Sequence, residues 1–255
     1  MSRSGANIFA IDTAASIFSV ALGTAEGLWY AEVDAGTRHS QLLMETADFL
    51  LKQAGIKPPD LSLVACMKGP GSFTGLRIGF SAAKGMALAL DIPFTAISSL
   101  DCMAYPFSEY PALVLPLIDA KKKSWYCALY AEGKRLTADM DADAQAIAAS
   151  IDACFAEGSE KKKNHGGHGE GGGYWHENPH KQVFLTGPDA DSFYREFNGG
   201  NKGVSFTLDP GHRKGCAREL LAIAQKRNIG DNVLENINSG PDYIRKSDAE
   251  INSEK

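Results

Sequence analysis

Apolar and polar positions fall into two successive rhythms along the first hundred residues. "NIFAIDT" from Asn7, "SIFSVALGT" from Ser16 and "GLWYAEVD" after the Glu26-Gly27 turn are short β-rich runs. Runs this close are joined only by tight turns, so they predict an antiparallel meander. The period then lengthens. "HSQLLMETADFLLKQAG" sets Leu43, Ala47, Leu50 and Ala54 on one stripe, with Leu42, Thr46 and Phe49 beside it. Gln41, Glu45, Asp48 and Lys52 take the other side, the pattern of an amphipathic helix closed by Gly55 and Pro58-Pro59. "LSLVACMKG" reads as a buried strand, "KGPGSFTGLRIGFSAAKG" as a turn and a second helix, "IPFTAISS" as a strand and "LDCMAYPF" as a short helix.

The order β-β-β-α-β-α-β-α, a meander extended by helix-linked strands, resembles the ribonuclease-H-like unit of the sugar kinase, Hsp70 and actin superfamily. We assign it to residues 1–107 and a smaller α/β domain to 108–255, with the C-terminal helix and tail free to pack back on the first domain. In the second part, "ALVLPLID" leads to a strand pair turning at Glu132-Gly133, a helix from Asp143 to Phe155, "QVFLTG", a helix from Asp189, "GVSFTL" and a helix from Gly215 to Arg227. Residues 158–181 are a low-complexity Gly/His insertion, and the polar tail is expected to fray after Arg245.

Composition narrows the class. Hydrophobic residues make up 44% and charged residues 22%, a globular balance, and the net charge of -5 argues against a general nucleic-acid binder. Five dispersed cysteines without a C-x-x-C pair predict reduced thiols. No run approaches a membrane span, so the expected location is the cytoplasm. Lys121-Lys122-Lys123 and Lys161-Lys162-Lys163 read as solvated surface. His165, His168, His176 and His180 sit among glycines that offer no fixed ligand geometry, so they predict an insertion and no metal site.

Two stretches carry candidate chemistry. Asp12, with Thr13, ends the first strand. It reads as a magnesium-linked acid of a phosphate turn, or as a carboxylate capping a turn; "DTAASI" has none of the glycines that give phosphates backbone room. Gly69, Gly71 and Ser72 open a helix N-terminus that resembles an anion site, yet neither G-x-x-x-x-G-K-[ST] nor G-x-G-x-x-G is present. The bland reading is a strand-to-helix turn capped by Ser72 or Thr74. We take Asp12, Thr13, Gly69, Gly71 and Ser72 as a relic nucleotide site.

The second helix is the stronger signal. Gly75, Gly79, Ala83 and Ala87 recur every fourth residue, with Leu76, Phe80 and Met86 around them. Interior glycines cost a helix up to about 1 kcal/mol each, so a close neighbour is required. That neighbour is either the domain's own sheet or a partner's helix. We favour the partner and expect a docking face of Leu43, Ala47, Leu50, Gly75, Leu76, Gly79, Phe80, Ala83 and Ala87. No G-x-S-x-G elbow or Ser/His/Asp set supports a hydrolase.

"IFAIDTAASIFSVAL", "HSQLLMETADFLL", "KGPGSFTGLRIGFSAAKGMALALDIPFTAISSLDCMA" and the late "PDYIRK" together resemble the TsaB (YeaZ) family. The resemblance implies a non-catalytic paralogue of TsaD in tRNA threonylcarbamoyladenosine synthesis. TsaD carries metal-binding histidines just after the corresponding helix and strand; the matching Ala96–Ala104 has none. The resemblance further implies docking on TsaD through helices at about His39–Ala54 and Thr74–Leu90, homodimers through the same face, and a TsaE-like ATPase in the complex. No cofactor is then held by this chain alone; ATP and magnesium belong to the complex junction, and tRNA is met through the complex. The competing reading is an ATP-binding phosphotransferase or ATPase using Asp12 and the 69–72 turn.

Overall fold

The computed structural model describes residues 6–164, 181–197, 203–227, 235–236 and 238–244. The His165, His168, His176 and His180 tract and the fraying expected after Arg245 lie outside the described residues. The chain divides into two compact units, 1–102 with 214–255, and 103–213.

The first unit begins with β1 (Ile8–Asp12), β2 (Ile17–Gly23) and β3 (Leu28–Asp34), followed by α1 (His39–Ala54), β4 (Leu63–Gly69), α2 (Phe73–Leu90) and β5 (Phe94–Ser98), and the boundary falls within α3 (Ser99–Ala104). Its sheet runs β3-β2-β1-β4-β5. β1 pairs antiparallel with β2, from Ile8 opposite Gly23 to Asp12 opposite Ser19, and parallel with β4, which pairs parallel with β5. This is the ribonuclease-H-like order read from the sequence.

β-Strand pleating divides the sheet's side chains by face. Phe9, Ile11, Val20, Leu22, Val64, Cys66 and Phe94 join Leu43, Ala47, Leu50, Phe80, Ala83 and Ala87 in one core, so α1 and α2 cover that face. Gly55, at φ 68°, closes α1 by returning its N–H to Leu51 and Lys52 carbonyls.

The second unit contains β6 (Leu113–Lys121), β7 (Ser124–Cys127), β8 (Tyr130–Ala131), β9 (Lys134–Arg135), β10 (Met140–Ala142), α4 (Ala144–Asn164), β11 (Lys181–Thr186), α5 (Ala190–Phe197) and β12 (Val204–Leu208). Its sheet runs β10-β7-β6-β11-β12, with β8 joining β6 to β9. Ile147, Ile151 and Phe155 of α4 and Phe193 of α5 pack with Leu115, Leu117, Trp125 and Leu185. α4 continues to Asn164, into the stretch read as low-complexity. The Ser-Glu-Lys run at its end is rich in helix formers, which periodicity alone did not register.

The chain then returns to the first unit as α6 (Ala217–Lys226). The units divide at 102/103, where 107/108 was expected, and α6 lies in the first unit. α6 takes the sheet face opposite α1 and α2. There Gly23 has no room for a side chain beside Leu221 and Gln225.

Candidate functional site

Asp12 stands at the carboxyl end of β1, 4% exposed. Its Oδ1 accepts the Ala14 N–H at 3.0 Å and its Oδ2 accepts the Cys216 N–H at 2.7 Å. Burial pushes its pKa up from 3.8 to about 6, against the pull of these two hydrogen bonds. Neighbouring strands complete the arrangement. The Ala217 N–H donates to Ser19 Oγ of β2 at 3.0 Å, and the Gly215 N–H donates to Glu32 Oε2 of β3 at 2.7 Å. The Tyr30 hydroxyl donates to the same Glu32 oxygen at 2.5 Å. Three successive amides at the start of α6 thus each meet a side chain from a different strand. A helix N-terminus offers unpaired N–H groups and a positive dipole end. Here the protein's own Asp12, Ser19 and Glu32 occupy it, and Asp12 acts as an anchor for α6.

The glycine turn closes on the same strand end. The Ser72 N–H donates to the Ala14 carbonyl at 2.8 Å, and Ser72 Oγ caps α2 by accepting the Gly75 N–H at 3.3 Å. Thr13, 1% exposed, donates its hydroxyl to the Gly75 carbonyl at 2.8 Å. A Cβ on Gly71 would stand 2.7 Å from the Ala14 carbonyl oxygen; on Gly75 it would run into the Thr13 carbonyl, and on Gly79 into Thr13 Oγ1. Asp12, Thr13, Gly71 and Ser72 are therefore brought together as the sequence reading had them. The two turns touch where Gly71 and Ser72 meet Ala14. Among the described residues no group of acidic, histidine or cysteine side chains could hold a metal ion.

The expected docking face needs correction. Leu43, Ala47 and Leu50 of α1, and Gly75, Leu76, Gly79, Phe80, Ala83 and Ala87 of α2, are all buried in their own unit. The four-residue rhythm of small residues lets α2 approach Thr13 and Ile11, so the close neighbour is the domain's own sheet. What the two helices leave outside is different: Met44 (51% exposed), Phe49 (57%) and Leu88 (74%), with Gly85, whose Cβ direction is open.

A further contact had no periodic signal. The short segment 238–244 crosses the glycine turn. The Asp242 N–H donates to the Lys68 carbonyl at 2.8 Å, and the Asp242 carbonyl lies 2.6 Å from where a Gly69 Cβ would be. Gly69, at φ 117°, therefore needs to be glycine on both counts. Lys68 Nζ lies 3.3 Å from Glu235 and 3.6 Å from Asp242. The Tyr243 ring packs on Phe73 at 4.7 Å between centroids, and Arg77 Nε donates to its hydroxyl at 3.1 Å while its guanidinium covers Phe73. The "PDYIRK" stretch is a strap over the start of α2, described as far as Ile244.

Fold and site together define a ribonuclease-H-like protein in which the strand-end Asp12 anchors α6 and in which α1 and α2 cover one face of the sheet. A family model described as "TsaD: tRNA N6-adenosine threonylcarbamoyltransferase" matches residues 33–189, and the chain belongs to that family, with the TsaB/YeaZ proteins. It is 38% identical over 128 residues to the tRNA threonylcarbamoyladenosine biosynthesis protein TsaB of Bacillus subtilis, covering 48% of this chain and 54% of that one. To the protein of the same name from Escherichia coli it is 36% identical over 126 residues, with the same coverage. The chain spans about half the length of these curated relatives. In fold it is similar to a Pseudomonas aeruginosa protein described as having similarity to peptidase YEAZ, with TM-score 0.67 and 20% identity over 94% of this chain and 100% of that one.

Proposed function

We propose that this chain is the accessory, dimerising subunit of a complex that transfers a threonylcarbamoyl group to tRNA adenosine, and that it scaffolds a TsaD-like catalytic subunit. The observation that carries this reading is the outward side of α1 and α2. Their inner sides already fill the core, yet Met44, Phe49 and Leu88 remain exposed and Gly85 leaves the α2 backbone open. A second helix pair packs on such a surface at an interaxial distance of about 8–10 Å. In isolation the same face joins two copies of the chain, and a TsaE-like ATPase completes the assembly, with ATP and magnesium at its junctions and tRNA brought to the whole. The work is cytoplasmic, in keeping with five cysteines that are all free thiols.

The phosphotransferase reading is disfavoured by Asp12, both of whose carboxylate oxygens accept backbone N–H groups. The test is co-purification with the organism's own TsaD-like protein, followed by a tRNA-modification assay with and without this chain. A stable complex whose activity depends on the chain supports the proposal; full activity of the partner alone overturns it.

A further inference from the structure

The hairpin joining β6 to β7 turns through Lys122 and Lys123, with Lys121 opposite Ser124. All three lysines have positive φ, 65°, 56° and 61°. Positive φ at both central positions of a two-residue hairpin loop is the geometry that favours Asn-Gly or Gly-Gly, because a Cβ is crowded there. This tip puts lysine at every such position, a side-chain chemistry kept against backbone preference. Its base is braced. The Lys121 N–H and ammonium bond to the two oxygens of Asp119 at 2.7 and 2.6 Å, the Asp119 N–H donates to Asp189, and Ser124 Oγ donates to the Lys121 carbonyl. The Asp119 and Asp189 carboxylates are thus turned into the hairpin base. Lys122 and Lys123 are exposed at the end of it.

From this geometry we infer that the 121–123 tip is an RNA-contacting element, placing Lys122 and Lys123 against backbone phosphates. The inference rests on the tRNA-modifying role proposed above, which names no part of this chain that touches tRNA. The tip carries no apolar side chain to bury against a protein. Its exposed ammonium groups complement an anion locally, against the background of a chain whose net charge of -5 disfavours general nucleic-acid binding. Two lysines on a fixed hairpin contact phosphates without reading bases, which predicts affinity that is strongly salt-dependent and indifferent to sequence.

The test is fluorescence anisotropy of a labelled, unmodified tRNA transcript titrated with the full chain at several salt concentrations. Two double variants are compared with the parent chain, Lys122→Glu/Lys123→Glu and Lys122→Gly/Lys123→Gly. Both are expected to weaken binding, the charge reversal by about tenfold or more, and to lower the slope of log K against log salt by about two. The glycine variant is expected to unfold at a higher urea concentration while losing affinity, which separates a binding role from a structural one. Absence of binding by the parent chain, or equal affinity in all three proteins, overturns the inference. So does equal, lysine-dependent binding to phosphatidylserine vesicles, which would mark the tip as membrane-directed. Co-purification with a TsaD-like partner does not depend on these lysines, so either proposal can fail while the other stands.

Discussion

The hydroxyl of Thr13 donates to the carbonyl of Gly75 at 2.8 Å, tying the end of β1 to the first turn of α2 across 62 residues of chain. The contact leaves no room for a side chain on Gly75 or Gly79. Gly75→Ala and Gly79→Ala should each destabilise the protein by about 1–3 kcal/mol, the cost of overpacking a tight core. Gly85, six residues beyond Gly79, faces open space. Gly85→Ala should instead raise stability by up to about 1 kcal/mol. Urea unfolding midpoints of the three variants check both signs.

The anchoring of α6 makes stability depend on pH. Asp12 has a higher pKa folded, about 6, than the ordinary 3.8. The folded state therefore holds its proton more tightly. Its contribution is full below pH 3.8 and is withdrawn as pH rises through 6, a loss on the order of 3 kcal/mol. Glu219, also raised chiefly by burial, acts in the same direction. Asp12→Asn keeps one acceptor oxygen and removes the buried charge, so its unfolding midpoint should vary less than the parent's between pH 4 and pH 6. A parallel pair of pH profiles would show that Asp12 carries none of the dependence.

The strap predicts a local effect. Tyr243→Ala removes the ring packed on Phe73 and the acceptor for Arg77. The expected loss is about 1 kcal/mol, concentrated at the start of α2. Hydrogen exchange should speed up at Phe73–Arg77 and stay unchanged in α6; unchanged exchange at both would mean the strap adds nothing.

How far the sequence could carry this account is clear from α1 and α2. The stripes of Leu43, Ala47 and Leu50 and of Gly75, Gly79, Ala83 and Ala87 were legible, because helical periodicity says which residues share a face. It does not say what that face meets. The answer depended on Thr13 and Ile11, brought alongside only by the parallel pairing of β1 with β4. The face first read as docking is core; the outward Met44 and Phe49 stand singly beside polar residues and Leu88 within the apolar run Met86–Leu90, so they form no stripe of their own. Asp12 was legible as the strand-end acid. Its partners Gly215 to Ala217 were not, because an N–H donor leaves no mark on residue identity. The strap at 238–244 is too short and aperiodic to signal a contact with Lys68, Phe73 or Arg77.

The outward residues separate docking from folding. Phe49→Glu and Leu88→Glu lie on exposed positions and should change stability by no more than about 0.5 kcal/mol. Ala83→Glu, by contrast, buries an unpaired charge and should prevent folding.

Docking through the outward side of α1 and α2 is measured by the affinity of the TsaD-like partner for the parent chain and for Phe49→Glu/Leu88→Glu. Calorimetry on the purified proteins is the suitable method, with circular dichroism confirming that the variant is folded. A stable heterodimer is expected for the parent and at least about a hundredfold weaker binding for the variant, the loss typical of two desolvated hot-spot residues. A folded double variant that binds the partner with the parent's affinity would contradict docking through this face.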